Sequence, residues 1–292
     1  AVNAQTVHQI AEGTDVLKAA IDAAAPSDII ELISDGGVYL SNDQIVVDKD
    51  LIIRGHEDLE VKPVLKYIGT STSAYIFKVE DSPRIEVRNL EIDGDGTAEG
   101  GADLAKYALR LDNADTLGTM QIIVENCVMQ KINEKIIKPY ADCGIDSLVV
   151  HNSIFYNGAK EGIVLFSGSS GDPAVRMDYA EFINCTFYGF VREAIKGDTN
   201  PDTKLLVDHC TFYDCGGPDK PFIYADDLTD VVIKNSIFQR NNETGNCIRL
   251  ESDENVVNNC IIWDVNDFEI DNTNSVFDTL HADPLFADPA NG

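Results

Sequence analysis

Hydrophobic and polar residues alternate in three short stretches that recur along this chain. In one repeat the first stretch covers residues 122–124, just before Asn126, and the second covers residues 127–129. The third stretch is seen at residues 163–165, where Ile and Leu flank a Val. Such alternation over a few residues predicts β-strands rather than helices. Three strands per repeat predict an all-β chain.

One polar residue, nearly always Asn, marks each repeat. It lies at Asn89, Asn126, Asn152, Asn184, His209, Asn235 and Asn259, in steps of 37, 26, 32, 25, 26 and 24 residues. Variable steps above a shortest length fit one coil per repeat, with loops inserted at a corner. Stacked coils form a parallel β-solenoid, in which each coil pairs with its neighbours. We expect a buried Asn at each bend, hydrogen-bonded to its stacked copies.

Small and aromatic residues follow the marker at fixed offsets. The next residue is Cys or Ser in most coils, and an aromatic column is formed by Phe155, Phe187, Phe212 and Phe238. Because free Cys is among the most buried residue types, we interpret these Cys as core. The seven Cys are odd in number and lack a CxxC pair, which argues against a zinc ribbon and a disulfide framework. One disulfide among Cys143, Cys215 and Cys247 stays open.

The N-terminal segment has a different period. Residues 14–25 carry apolar side chains on one helical face, with Thr14 as the expected N-cap. A solenoid end exposes its apolar core and needs a cap, and this helix is suited to that role. Residues 29–40 and 44–55 are then the first coils. We expect one domain over residues 1–292.

Charge restricts the partners of the chain. Its 50 acidic and 22 basic side chains give a formal net charge of −28. An acidic surface repels nucleic acid and anionic membranes, so we expect neither as a partner. No stretch approaches the roughly 18 consecutive apolar residues of a membrane helix. The chain starts at Ala1 rather than Met, as a mature secreted protein or a trimmed fragment does. We expect a monomer.

Several segments resemble a known family. They are LKAAIDAA (17–24), DIIELISDGGVY (28–39), LIIRG (51–55), the repeated Asn-Cys-x-Phe units and the ending ADPLFADPANG (282–292). Together they resemble the pectin-lyase-like right-handed parallel β-helix proteins, and most of all the secreted bacterial alginate and chondroitin lyases. The resemblance implies a polysaccharide lyase that is secreted or periplasmic. It also implies a catalytic Lys or Tyr with a basic partner, and a divalent cation. Because this fold carries several activities, the function needs a site.

An outward column on the third strand of each coil is the first candidate site. With Phe77 and Val79 inside, Lys78 points out, and the same phase gives an outer column of Lys78, Arg110, Lys138, Val164, Lys196, Tyr224, Arg249 and Glu269. Five of its eight members are basic. Coils about 4.8 Å apart place such a column along several sugars of an anionic polysaccharide. The alternative is a set of surface lysines that prevents aggregation.

A second, mostly acidic column lies two residues further along each strand. Asp198, Asp226 and Glu251 fall there on adjacent coils. Clustered carboxylates bind hard cations, so we predict a divalent cation site for Ca²⁺, Mg²⁺ or Mn²⁺. The alternative is a strip of salt-bridged or solvated acids.

Cleavage of a polyuronate by β-elimination requires a neutralised carboxylate, a base and an acid. Lys196, Tyr224 and Arg249 lie on successive coils and fit these roles. Tyr188 and Lys220, in long loops before the same strands, are further catalytic candidates. The predicted substrate-binding residues are Lys138, Arg110, Tyr156, Tyr140 and Arg192.

These patterns favour a lyase acting on an acidic uronate polymer, above all alginate (polymannuronate). A glycoside hydrolase on a pectic polymer is the first alternative, since inverting carboxylate pairs about 6.5–9.5 Å apart fit residues one or two coils apart. A non-catalytic glycan-binding or adhesin solenoid is the second.

Overall fold

The structure is a computed structural model, and it describes most of the chain. The described residues are 5–71, 74–81, 84–101, 104–112, 120–140, 143–165, 176–197, 202–217, 220–226, 228–239, 246–250, 252, 254–265, 267–270 and 276–285. The side chains of residues 176, 246, 267–270 and 277 are outside this description.

Three parallel sheets run the length of the described solenoid. Sheet A contains Val7–Ile10, Asp28–Leu32, Leu51–Gly55, Arg84–Arg88, Met120–Glu125, Gly144–His151, Arg176–Ile183, Lys204–Asp208, Asp230–Lys234, Val256–Asn258 and Val276–Phe277. Sheet B contains Gly13–Thr14, Val38–Ser41, Val64–Tyr67, Glu91–Asp93, Val128–Gln130, Ile154–Tyr156, Thr186–Tyr188, Thr211–Tyr213, Ile237–Gln239, Ile261–Trp263 and Leu280–His281. Sheet C contains Ile45–Val47, Tyr75–Glu80, Tyr107–Asp112, Lys135–Pro139, Ile163–Val164, Ile195–Lys196, Ile223–Tyr224, Asn246–Leu250 and Asp267–Ile270. The predicted all-β parallel solenoid is confirmed.

The core is built from columns of identical or similar side chains. Phe187 stacks on Phe155 and Phe212 with ring centroids 5.1 and 4.9 Å apart, and Phe212 stacks on Phe238 at 4.8 Å. All four rings are fully buried. Offset ring stacking adds about 0.5–1.5 kcal/mol per pair to the burial of apolar area. The predicted aromatic column is therefore a major part of the core.

The Asn markers form the predicted ladder, but they are not buried. Asn126 donates to Asn89 at 2.9 Å and Asn184 donates to Asn152 at 2.8 Å, while most markers are exposed. Each marker has a φ near +52°, and Asn tolerates this left-handed turn better than most residues. The prediction of burial was wrong because the tight turn directs these side chains outward.

The inward cysteines are core residues, as predicted. All seven Cys are free thiols and buried. The Cys127 thiol donates to the carbonyl oxygens of Val87 and Glu125 at 3.3 Å, and burial raises its pKa to about 12. Such thiols are inert packing groups rather than nucleophiles.

The N-terminal cap differs from the prediction in its start. The helix covers Val16–Ala23, and Leu17 and Ile21 bury their side chains in the core. Thr14 belongs to a sheet B strand, so it is not the N-cap; that position is held by Asp15, whose carboxylate instead accepts from Asn42. A strand at Val7–Ile10 pairs with Asp28–Leu32, so the first coil begins before the helix.

Sheet C carries an irregularity that positions the candidate site. In successive coils two adjacent residues are both buried: Ile76 and Phe77, Ala108 and Leu109, Ile136 and Ile137, Ala194 and Ile195, Phe222 and Ile223, Cys247 and Ile248. In one of these pairs, the amides of Ala194 and Ile195 both donate to the carbonyl of Phe222, at 2.9 and 3.1 Å. This bulge-like doubling interrupts the alternation. As a result, Tyr75 and Lys78, which flank one buried pair, are both partly exposed, whereas Glu193, which precedes another pair, is buried.

Candidate functional site on sheet C

Most members of the predicted outer column are paired on neighbouring strands in the structure. Arg110 pairs with Lys78 and Lys138, Val164 with Lys196, Lys196 with Tyr224, Tyr224 with Arg249, and Arg249 with Glu269. The predicted alignment of one coil with the next is therefore confirmed for these pairs, and Ile137 pairs with Ile163, one position before Lys138 and Val164.

The column is not uniformly open. Lys138 is 9% exposed and Val164 1% exposed, although both belong to the outer column. The Arg249 side chain is 42% exposed. A ligand therefore has more access to the coils of Lys196, Tyr224 and Arg249 than to the middle of the column, and Lys138 has little surface for the predicted substrate contact.

Three of the predicted catalytic residues form one cluster. The Tyr224 ring lies between two cations, with Lys196 Nζ 5.2 Å and the Arg249 guanidinium carbon 5.2 Å from the ring centroid. The Arg249 Nε is 2.8 Å from Oδ2 of Asp226, which is 6% exposed. A buried carboxylate thus holds the guanidinium in place, and an ammonium, a phenol and a guanidinium occupy successive coils.

A second cluster lies nearer the N-terminus on the same sheet. The Arg110 guanidinium lies over the Tyr140 ring at 3.8 Å and donates to the Tyr75 hydroxyl at 2.6 Å. Its Nε is 2.8 Å from Asp112. The structure thus brings together Arg110 and Tyr140, two predicted substrate-binding residues, and adds Tyr75, which the sequence interpretation missed.

Tyr188 and Tyr156 lie apart from the Lys196 cluster. Both are on sheet B, where their rings stack at 4.6 Å, and residues 189–194 separate Tyr188 from the sheet C strand. Burial raises the pKa of Tyr188, and burial with the nearby Tyr188 raises the pKa of Tyr156 to about 12. Both phenols are therefore protonated at neutral pH, which disfavours Tyr188 as a base.

A ladder of alternating charges lies at the corner before sheet C. We call it the corner ladder; its members are Lys106, Glu134, Lys135, Lys160, Glu161, Arg192, Glu193 and Lys220. Lys160 contacts Glu134 at 3.1 Å, Arg192 contacts Glu161 at 3.0 Å, and Lys220 contacts Glu193 at 3.9 Å. The structure thus places Arg192 and Lys220 in this ladder, at the corner before the strands of the Lys196 cluster. A signal was present in the sequence, because these charges lie three or four residues before the outer position in five successive coils.

The predicted cation site has one described ligand. Asp226 is paired with Arg249, and Asp198 and Glu251 lie outside the described residues. Within the described part of the chain, no group of three or more His, Cys, Asp or Glu side chains is arranged to hold a metal ion.

Comparison with known proteins identifies the architecture. The family described as right handed beta helix region matches residues 174–279. An alginate lyase of the PL6 family, AlyGC, superposes over 96% of this chain with a TM-score of 0.65 at 13% identity. The chain folds as a right-handed parallel β-helix. It spans 40% of the length of AlyGC.

Two further β-helices share this architecture. An alginate lyase from Paenibacillus sp. str. FPU-7 aligns over 87% of both chains, with a TM-score of 0.56 and 14% identity. The A-module of the mannuronan C-5 epimerase AlgE6 from Azotobacter vinelandii aligns over 90% of this chain and 79% of its own, with a TM-score of 0.50 and 12% identity. No curated protein sequence matches this chain. At these identities the likeness establishes the fold.

Within the described residues, no helix of this β-helix has the length and apolar character needed to cross a membrane.

Proposed function

We propose that this β-helix is a secreted or periplasmic polysaccharide lyase that cleaves an acidic uronate polymer, alginate (polymannuronate) above all, by β-elimination. The observation that carries the proposal is the cluster of Lys196, Tyr224 and Arg249 on successive coils of sheet C. Two β-helices of similar fold are named as alginate lyases, which supports the choice of substrate. The proposal treats the active unit as a monomer.

Each group of the cluster has a role in the proposed reaction. The guanidinium of Arg249, held by Asp226, pairs with the uronate carboxylate and stabilises the negative charge that develops next to C5. Of Lys196 and Tyr224, one takes the C5 proton and the other donates a proton to the departing glycosidic oxygen. The C5 electron pair forms the C4=C5 double bond as the C4–O bond breaks. Tyr188, with its raised pKa and its place on sheet B, takes no part as a base.

A divalent cation is a separate proposal. Asp226, with Asp198 and Glu251, would supply carboxylate oxygens to Ca²⁺, Mg²⁺ or Mn²⁺, which would share the neutralisation of the uronate carboxylate. Turnover measured after treatment with a chelator and again after adding back each cation tests it. Full activity in the chelator would remove the cation from the reaction.

The test of the lyase proposal is the ultraviolet absorbance of the unsaturated uronate product. Wild type is assayed on polymannuronate, polyguluronate, pectate and chondroitin, beside Lys196→Ala, Tyr224→Phe and Arg249→Ala. Lys204→Ala, which removes an exposed sheet A cation, is the matched control. We expect each site variant to lose about 10²–10⁴-fold in kcat/KM with an unchanged circular dichroism spectrum. Wild type without product on all four polymers would refute the proposal.

Other products would identify other reactions from the same face. Reducing ends released without new absorbance would indicate the hydrolase. An altered ratio of uronate epimers without cleavage would indicate epimerisation, the activity named for one β-helix of similar fold. Binding of a polymer with no product would indicate a glycan-binding solenoid.

A further inference from the structure

Most cations of the corner ladder are more exposed than its carboxylates. The Lys160 side chain is 45% exposed, whereas Glu161 and Glu193 are 5% and 1% exposed. Five cations accompany three carboxylates in the ladder, an excess of two positive charges in a chain whose formal net charge is −28. The surface that the ladder presents to solvent is therefore cationic, and it borders the candidate site.

The carboxylates of the ladder, Glu161 and Glu193 buried and Glu134 partly exposed, hold these cations in position. Lys160 and Arg192 each reach back to a carboxylate of the preceding coil, Glu134 at 3.1 Å and Glu161 at 3.0 Å. A cation whose stem is already ordered loses less side-chain freedom when it binds an anion. Arg192 faces two carboxylates, Glu161 at 3.0 Å and Glu193 at 3.6 Å, and its guanidinium has five N–H donors to share between them and an added anion. The ladder is thus pre-organised for a second set of anions.

The spacing of the ladder follows the coils. Because neighbouring coils of a parallel sheet lie about 4.8 Å apart, successive cations advance by roughly one coil, a step comparable with the length of one 1,4-linked uronate residue. The ladder also adjoins the outer column. In the coil of Lys196, the buried pair Ala194 and Ile195 separates the outer-column residue from Glu193, and Arg192 lies one residue further back. The contact between Arg110 and the Tyr75 ring, 4.6 Å apart, shows that side chains across such a buried pair meet on the outer face.

We infer that the corner ladder is a binding rail for the carboxylates of a uronate polymer, running from the coil of Lys220 toward the N-terminal coil of Lys106. This inference rests on the proposed function and adds where the remote sugars of the substrate bind. The rail binds sugars away from the cleaved bond. It therefore increases the affinity for long polymer chains and leaves the rate of the chemical step unchanged. Lys106 and Lys160 are its testable members, because both are partly exposed and lie away from the Lys196 cluster.

The test compares the double variant Lys106→Gln, Lys160→Gln with Lys204→Gln, which removes a 64% exposed cation from sheet A. Binding of polymannuronate is measured by calorimetry in a Lys196→Ala background, so that no polymer is consumed. We expect the double variant to bind roughly three- to twentyfold more weakly at low salt, from two exposed charge contacts. The control should bind as the background does. With Lys196 restored, KM for long polymer should rise while kcat stays unchanged.

Three results would overturn the rail. They are unchanged polymer binding by the double variant, an equal loss in Lys204→Gln, and a fall in kcat without a change in KM. Two controls exclude a purely structural effect. The melting temperature of the double variant should equal that of the background, and the variant Lys106→Arg, Lys160→Arg, which retains both charges, should bind polymannuronate as the background does. The calorimetry needs no turnover. Wild type that binds polymannuronate through Lys106 and Lys160 but forms no product would therefore refute the lyase proposal and leave the rail standing.

Discussion

Removing one buried carboxylate of the corner ladder is the most informative test of how the corner is held together. In wild type, Glu161 contacts Arg192 Nη1 at 3.0 Å and Lys135 Nζ at 3.4 Å, and its side chain is 5% exposed. The variant Glu161→Gln keeps the shape of the side chain and deletes its charge. We expect it to fold and to be less stable at neutral pH.

The size of the stability loss depends on how well the cations left behind, Arg192 and Lys135, are stabilised without Glu161. Deleting one partner of a buried ion pair costs about 3–5 kcal/mol when the charge left behind is itself buried. Here Arg192 is 38% exposed, and Lys135 keeps Glu134 at 3.9 Å. Water and Glu134 therefore stabilise the remaining cations, so we expect a smaller loss of about 1–2 kcal/mol in the free energy of unfolding.

The loss should depend on pH with a definite sign. Burial raises the pKa of Glu161, but its backbone hydrogen bond and the charges of Lys135 and Arg192 outweigh burial, so the pKa is lowered overall. A lowered pKa contributes stability that is present above the unfolded value of about 4.3 and is lost as pH falls through the folded value. The difference between wild type and Glu161→Gln should therefore be full near neutral pH and shrink in acid.

Urea unfolding followed by circular dichroism at neutral pH and near pH 4 measures this difference. Glu60→Gln, a substitution of the same type at an exposed position, is the matched control and should leave the midpoint unchanged. An unchanged midpoint for Glu161→Gln at neutral pH would contradict our view of the ladder. So would a difference that grows as the pH falls.

Three further predictions concern the coils themselves. Phe212→Ala should lower the free energy of unfolding by about 3–5 kcal/mol, because it removes a fully buried ring stacked on two others, and Phe212→Leu should lower it less; equal urea midpoints for the two variants would rule this out. Asn184 has φ +53°, a backbone conformation that strains Ala but not Gly, so Asn184→Ala should be about 1 kcal/mol less stable than Asn184→Gly. A higher melting temperature for Asn184→Ala than for Asn184→Gly would show that backbone strain does not determine stability at this position. All seven thiols should react with a thiol reagent only after denaturation, and fast reaction of the native protein would show that the buried cysteines are accessible to solvent.

The repeat made the fold and the outer column predictable from the sequence. Alternation identifies inward and outward positions within a strand, and the repeat aligns one coil with the next, so the register of Lys196 with Tyr224 and of Tyr224 with Arg249 was predictable. The Asn ladder was predictable for the same reason. The exposure of the Asn side chains was not predictable, because their direction depends on the left-handed turn rather than on the hydrophobic pattern.

Features that depend on contacts between coils were harder to predict. The burial of Lys138 depends on what covers the sheet, which alternation does not report. The position of Tyr188 on a different sheet from Lys196 follows from where the chain turns, at residues 189–194. The corner ladder follows in part from the coil alignment, because Lys106, Glu134, Lys160, Arg192 and Lys220 each lie four residues before an outer position. The structure showed it through contacts such as that of Arg192 with Glu161.

The doubled buried pair of sheet C has a consequence for how such a protein can evolve. The pair recurs at the same place in successive coils, and a coil is as short as 24 residues between markers. Tandem duplication of one coil would therefore add, in a single genetic event, a complete layer with its own core residues, outer-column residue and corner charge. The new layer would pair with its neighbours in unchanged register and lengthen the proposed substrate path by about one sugar. Duplication of coils is thus a direct route to a longer β-helix with a longer proposed substrate path.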